Sequence, residues 1–118
     1  MGRSQRADRG KVRQVSYRLE IRPDVLADIE EAAGWYEDRE PGLGSEFTHE
    51  VLQAIDTLSS NPLIYRVRHR RRQVRWLLMD RFPYRIIYRL NGDLITIFAV
   101  LHSARHDRNW KNRLSESQ

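Results

Sequence analysis

The chain has 118 residues, with 21 Lys and Arg against 16 Asp and Glu, a net charge of +5, 40% hydrophobic residues and no cysteine. That length fits one domain with a single core, and the lack of cysteine excludes a disulfide framework and a thiolate zinc site. No apolar run approaches the roughly 18 residues of a membrane span, and the basic balance, with a pI near 10.1, favours a polyanion or an acidic protein as partner.

Met1 to Ser16 is rich in arginine and holds no apolar block. It reads as a basic flexible tail rather than a secretory signal, with an arm for nucleic acid or a partner as the alternative. Residues 17–113 are expected to form the domain, and 114–118 a polar end. Tyr17, Leu19 and Ile21 alternate with charged residues, which predicts a short strand. Pro23-Asp24 should end it, with Asp24 as the N-cap of a helix. Val25, Ile29, Ala32, Ala33 and Tyr36 then recur at helical spacing among acidic residues.

Pro41-Gly42-Leu43-Gly44 breaks this helix, and a second one shows Leu43, Phe47, Val51, Ile55 and Leu58 on one stripe before Pro62 stops it. A connection this short makes the helices antiparallel neighbours, and neither can bury its stripe without a sheet beneath. Tyr65 to Arg75 is the densest positive run, and it reads either as a solvated loop or as a phosphate-tracking loop. Val74 to Met79 should form the next strand.

Phe82 to Arg105 reads as a β-hairpin turning at Asn91-Gly92, a pair suited to a type I′ turn. That turn would pair Leu90 with Asp93, Tyr88 with Ile95, Ile86 with Ile97 and Tyr84 with Ala99 on the buried face. The other face would carry Arg85, Ile87, Arg89, Thr96, Phe98, Val100 and His102, an apolar and cationic surface for an anion or a partner chain. Asn109 to Arg113 should add a short C-terminal helical segment. The expected fold is α+β, in the order β-α-α-β-β-β, with a helical hairpin packed on a small, mainly antiparallel sheet.

Metal-free cleavage of RNA needs a proton shuttle and cations at the phosphate. Arg85 and Arg105 could hold the phosphate, and His102 could move a proton, since its ordinary pKa lies near neutrality. Arg75 and Arg89 on the sheet, with Trp110 and Arg113 in the last segment, are the accompanying candidates for contact with RNA or another target. His102, His106 and Asp107 lack a metal-ligand spacing, and no phosphate loop or nucleophile elbow is present. Neither metal nor cofactor is expected.

Three phrases together resemble the RelE/ParE superfamily of type II toxin-antitoxin toxins: Glu31-Ala-Ala-Gly-Trp-Tyr-Glu-Asp-Arg-Glu-Pro-Gly-Leu-Gly-Ser-Glu-Phe47, Arg81-Phe-Pro-Tyr-Arg-Ile-Ile-Tyr88 and Ala99-Val-Leu-His-Ser-Ala-Arg105. The resemblance covers Tyr17 to Arg113. It implies a cytoplasmic toxin held inactive by a cognate antitoxin, meeting operator DNA only through that antitoxin and having no membrane contact. ParE-like members poison DNA gyrase, whereas RelE-like members cut mRNA in the ribosome. By the same resemblance, Arg85 and Arg105 match the arginines that the nucleases place at the scissile phosphate. The lysines those nucleases carry on the preceding strand have no counterpart here, where Arg75 is the only cation of Val74 to Met79. Their C-terminal tyrosine also lacks a match, with Trp110 and Lys111 nearby, and His102 is the candidate to take over proton transfer. The expected function is therefore a toxin of the plasmid-stabilisation ParE type, acting on gyrase or translation. The alternatives are a ribosome-dependent mRNA endonuclease and a non-toxic basic nucleic-acid-binding module.

Overall fold

The computed structural model describes residues 16–104 and 108–116. The chain runs β1 (Arg18–Ile21), α1 (Pro23–Arg39), α2 (Leu43–Ser60), a 3₁₀ turn at Pro62–Ile64, β2 (Val67–His69), β3 (Val74–Leu78), β4 (Tyr84–Asn91), β5 (Leu94–His102) and α3 (Arg108–Glu116). The strands form one sheet in the order β1-β5-β4-β3-β2, parallel only where β1 meets β5. This is the expected α+β layer, with β2 as a further short strand cut from the arginine run. The last helix also continues through Leu114, past the boundary expected at Arg113.

Local sequence explains where the elements begin and end. Arg22, in extended geometry, is the N-cap of α1, and Pro23 takes the first helical position in place of the expected Asp24 cap. Proline suits that position because its missing N–H has no partner there in any helix. Between α1 and α2 the Glu37 carboxylate accepts hydrogen bonds from the N–H groups of Gly42 and Gly44, each at 2.9 Å. Gly42 sits at φ +90°, and a Cβ on Gly44 would lie 2.6 Å from the Ala33 carbonyl oxygen. Both glycines are therefore required by the tight helical hairpin, for different reasons.

The hairpin register differs from expectation in two ways. Asn91 pairs with Leu94, so the two-residue turn is Gly92-Asp93, and only Gly92 has a positive φ, +62°. Arg18 accounts for the shift: its N–H donates to the Asp93 carbonyl at 2.8 Å and its guanidinium to the Asp93 carboxylate at 3.1 Å, holding Asp93 in the turn. The pairs are then Leu90 with Ile95 and Tyr88 with Ile97, which keeps those side chains on the expected face. Beyond them Ile87 pairs with Ala99, so β5 carries one extra residue, a β-bulge at Phe98. The bulge reverses the alternation. Val100 joins Ile86 and Tyr88 on the helical-hairpin face, and Ala99 joins Phe98 on the other, the reverse of the placement read from sequence for Val100 and Ala99.

The core has two parts. Val25, Ile29, Phe47, Val51, Ile55 and Leu58 from the helices cover Leu77, Ile86, Tyr88, Ile95, Ile97 and Val100. On the opposite face α3 lays Trp110 and Leu114 over Val74, Ile87, Phe98, Ala99 and Leu101. The apolar half of the second face, expected to await a partner, is thus covered by the chain's own last helix.

Candidate functional site

The second face is left open toward β2 and β3, and there the cations gather. Trp76 on β3 pairs with Ile87, and Arg85 on β4 pairs with Leu78. The guanidinium carbons of Arg85 and Arg68 each lie 4.7 Å from the centre of the Trp76 ring. An indole face attracts cations through its quadrupole, so Trp76 can hold two arginines close together despite their repulsion. Arg85 is only 6% exposed. Burial, followed by the charges of Arg66 and Arg85, draws the Arg68 guanidinium below its ordinary pKa. Two like charges thus share one indole ring.

The other expected site residues scatter. The bulge puts His102 opposite Tyr84, its ring 5.3 Å from the tyrosine, on the helical-hairpin face and away from Arg85. His102 lines an open cleft of about 870 Å³ together with Asp24, Asp28, Glu31, Trp35 and Tyr36. Its Nδ1 accepts the Ala104 N–H at 3.0 Å, which leaves Nε2 as the outward nitrogen. Arg113 also lines that cleft, tied to Asp28 and Asp24, and the sheet lies between His102 and the arginine cluster, so the two do not form one site. Arg75 also lies on the helical-hairpin side, where it pairs with Tyr88 and donates to the Tyr65 carbonyl. Arg89 is on the second face but beside a different cavity, with Glu20, Thr96 and Phe98.

Trp110, expected at a target surface, is 1% exposed and is core in this fold. Arg113 ties the molecule together. Its Nη1 and Nη2 donate to the two oxygens of Asp28 at 2.7 and 2.8 Å, and Nη1 also donates to the Phe98 carbonyl at 3.1 Å. Asp28 in turn accepts the Val100 N–H at 2.9 Å. These bonds close the edge of β5 beyond the end of β1, where the bulge would otherwise leave backbone groups without partners. Arg105, His106 and Asp107 lie outside the described residues, as do Met1 to Val15. Among the described residues no group of three metal-ligating side chains occurs.

Sequence reasoning did not single out Arg68, Trp76 or Asp28. The alternation Val74, Trp76, Leu78 was a signal for a tryptophan on the second face, beside Arg85. Asp28 looked like one more solvated acid on an acidic helix, because nothing local marks a contact 85 residues away in sequence.

A family model described as the ParE toxin of the type II toxin-antitoxin system parDE matches residues 19–107. No curated protein sequence matches the chain. Among solved structures, one from the chromosomal ParDE TA system of P. aeruginosa superposes with a TM-score of 0.65 at 18% identity, covering 74% of this chain and 96% of that one. The archaeal RelE-RelB complex from Pyrococcus horikoshii OT3 gives a TM-score of 0.44 at 19% identity, over 78% of this chain and 100% of that chain. The first of these likenesses is one of fold; the family model, spanning α1, α2 and every strand except the first residue of β1, carries the assignment. The chain belongs to the ParE toxin family of type II toxin-antitoxin systems.

Proposed function

We propose that this chain is a growth-inhibiting toxin that acts on DNA gyrase and is neutralised by a cognate antitoxin. Family membership supports the class. The observation that carries the choice of target is the separation of Arg85 from His102 by the thickness of the sheet. Metal-free cleavage of RNA requires its base, acid and phosphate-holding cations around one scissile bond. Among the described residues His102, the candidate for proton transfer, and the cation cluster lie on opposite faces of the sheet. A toxin that binds gyrase needs no such constellation. The ribosome-dependent nuclease is the second reading, favoured by the Arg68–Arg85 pair at Trp76.

Induced expression followed by pulse labelling of DNA and protein synthesis tests this, with growth restored when a cognate antitoxin is co-expressed. DNA synthesis should fail first, and purified protein should inhibit gyrase-driven supercoiling. His102→Ala should leave inhibition within about twofold of the parent. An early fall in protein synthesis, abolished by Arg85→Gln and by His102→Ala in equally stable proteins, would overturn the gyrase reading.

A further inference from the structure

The β2–β3 hairpin is the most unevenly charged part of the molecule. No Asp or Glu occurs between Asp56 and Asp80, while that stretch holds Arg66, Arg68, Arg70, Arg71, Arg72 and Arg75. Arg75 turns inward to the Tyr65 carbonyl. Arg66, Arg68, Arg70 and Arg71 are exposed and Arg72 is partly buried, and among the described residues none of the five forms an ion pair with a carboxylate. The turn that displays them is fixed rather than loose. Gln73 adopts φ 57°, its N–H bonds the Arg70 carbonyl at 3.3 Å, and its side-chain amide bonds the same carbonyl at 2.9 Å.

We propose that this hairpin is a nucleic-acid contact that grips the sugar-phosphate backbone through Arg66, Arg68, Arg70, Arg71 and Arg72. Arginine is suited to this because its planar fork binds phosphate oxygens in pairs. Arg66 and Arg68 lie before and within the three-residue β2, and Arg70, Arg71 and Arg72 follow in its turn, so five cations are gathered on one short hairpin. The acidic residues of α1 and α2, among them Glu30, Glu31, Glu37, Glu46 and Glu50, occupy the other layer, so a polyanion is oriented toward the hairpin and away from the helices.

An acidic peptide added as an extra strand is the competing occupant, and the edge is poorly made for it. β2 has three residues and its register with β3 slips between Val67 and His69. Short length, a bulge and charged side chains are the features that blunt an edge against strand addition. Neither cavity described above includes a hairpin residue that could seat apolar peptide side chains. The inference does not depend on the gyrase reading, since the contact is measured without gyrase.

The test titrates the full-length protein into labelled duplex DNA, single-stranded RNA of equal length and poly-glutamate, following anisotropy across about 50 to 200 mM salt. Each phosphate contact on duplex DNA contributes about 0.9 to the slope of log affinity against log salt. The Arg70→Gln, Arg71→Gln, Arg72→Gln variant should bind at least tenfold more weakly at the low-salt end, with a slope shallower by about 2 to 3. Arg66→Gln, Arg68→Gln, a second variant at and just before β2 rather than in the turn, should act in the same direction, and circular dichroism should match the parent for both. Tighter binding of either nucleic acid than of poly-glutamate supports the contact, and the tighter of the two names its source. Parent-like affinity and slope in both folded variants would overturn the proposal. Poly-glutamate binding as tightly as the nucleic acids would also overturn it, in favour of an acidic protein.

Discussion

At the scale of single residues, Asp28 is a point where three elements are tied together. Its carboxylate joins three elements at once: α1 by position, β5 through the Val100 N–H, and α3 through the paired nitrogens of Arg113. The Asp28 side chain is 9% exposed and that of Arg113 is 21% exposed, so the pair is shielded far better than a surface salt bridge. Asp28→Ala should cost about 1 to 3 kcal/mol, because it strands the Val100 N–H and takes two charge-assisted hydrogen bonds from Arg113, which keeps Asp24 and the Phe98 carbonyl. Denaturant unfolding measures this, and a double-mutant cycle with Arg113→Met should show a coupling of about 0.5 to 3 kcal/mol between the two positions. A cost below about 0.5 kcal/mol would mean that the pair behaves as an ordinary exposed one. The same scale shows the limit of reading a site from sequence. Arg85 and His102 are the right residue types at suitable strand positions, yet one bulged residue between them decides that they never meet.

At the scale of elements, the helical hairpin and the strands β3 to β5 were legible because their burial is periodic. Phe47, Val51, Ile55 and Leu58 recur at helical spacing and are all buried, and the β4–β5 pairing follows from two apolar runs about a tight turn. The turn position and the bulge were not legible, since both depend on contacts from elsewhere: Arg18 on Asp93, and Asp28 on Val100. β2 was hidden within a run of arginines whose composition suggests solvent rather than a strand. The role of α3 was missed for a related reason. Asn109 to Arg113 is polar in sequence, and the two residues that matter, Trp110 and Leu114, lie one helical turn apart on its inner side. Trp110→Ala should therefore destabilise the fold by about 3 to 5 kcal/mol, the range for emptying a large aromatic site in a core. The check is thermal unfolding beside increased exchange of amide hydrogens in Phe98 to Leu101. An unchanged melting temperature would mean that α3 rests on the sheet without contributing to its stability.

At the scale of the whole molecule, charge and burial act together at alkaline pH. The protein carries a net +5 at neutral pH and approaches zero charge near its pI of 10.1, where mutual repulsion no longer opposes association. The Tyr88 hydroxyl, fully buried, donates to the Pro62 carbonyl, and burial pushes its pKa above the ordinary 10.0. Folding therefore favours the protonated phenol: its contribution is complete below pH 10 and is lost as the pH climbs past 10 toward the higher folded value. Tyr36 is raised by burial in the same direction. Stability should accordingly stay level up to about pH 10 and fall above it, whereas solubility should decline toward a minimum near pH 10.1 and recover beyond it. Tyr88→Phe separates the two causes. It should cost about 1 to 2 kcal/mol at pH 7, where the Pro62 carbonyl loses its donor, and it should flatten the alkaline loss of stability. Its light scattering near pH 10 should still rise, because the net charge of the surface is unchanged at neutral pH and nearly unchanged there. If the variant loses stability above pH 10 as steeply as the parent, some group other than Tyr88 governs the alkaline transition.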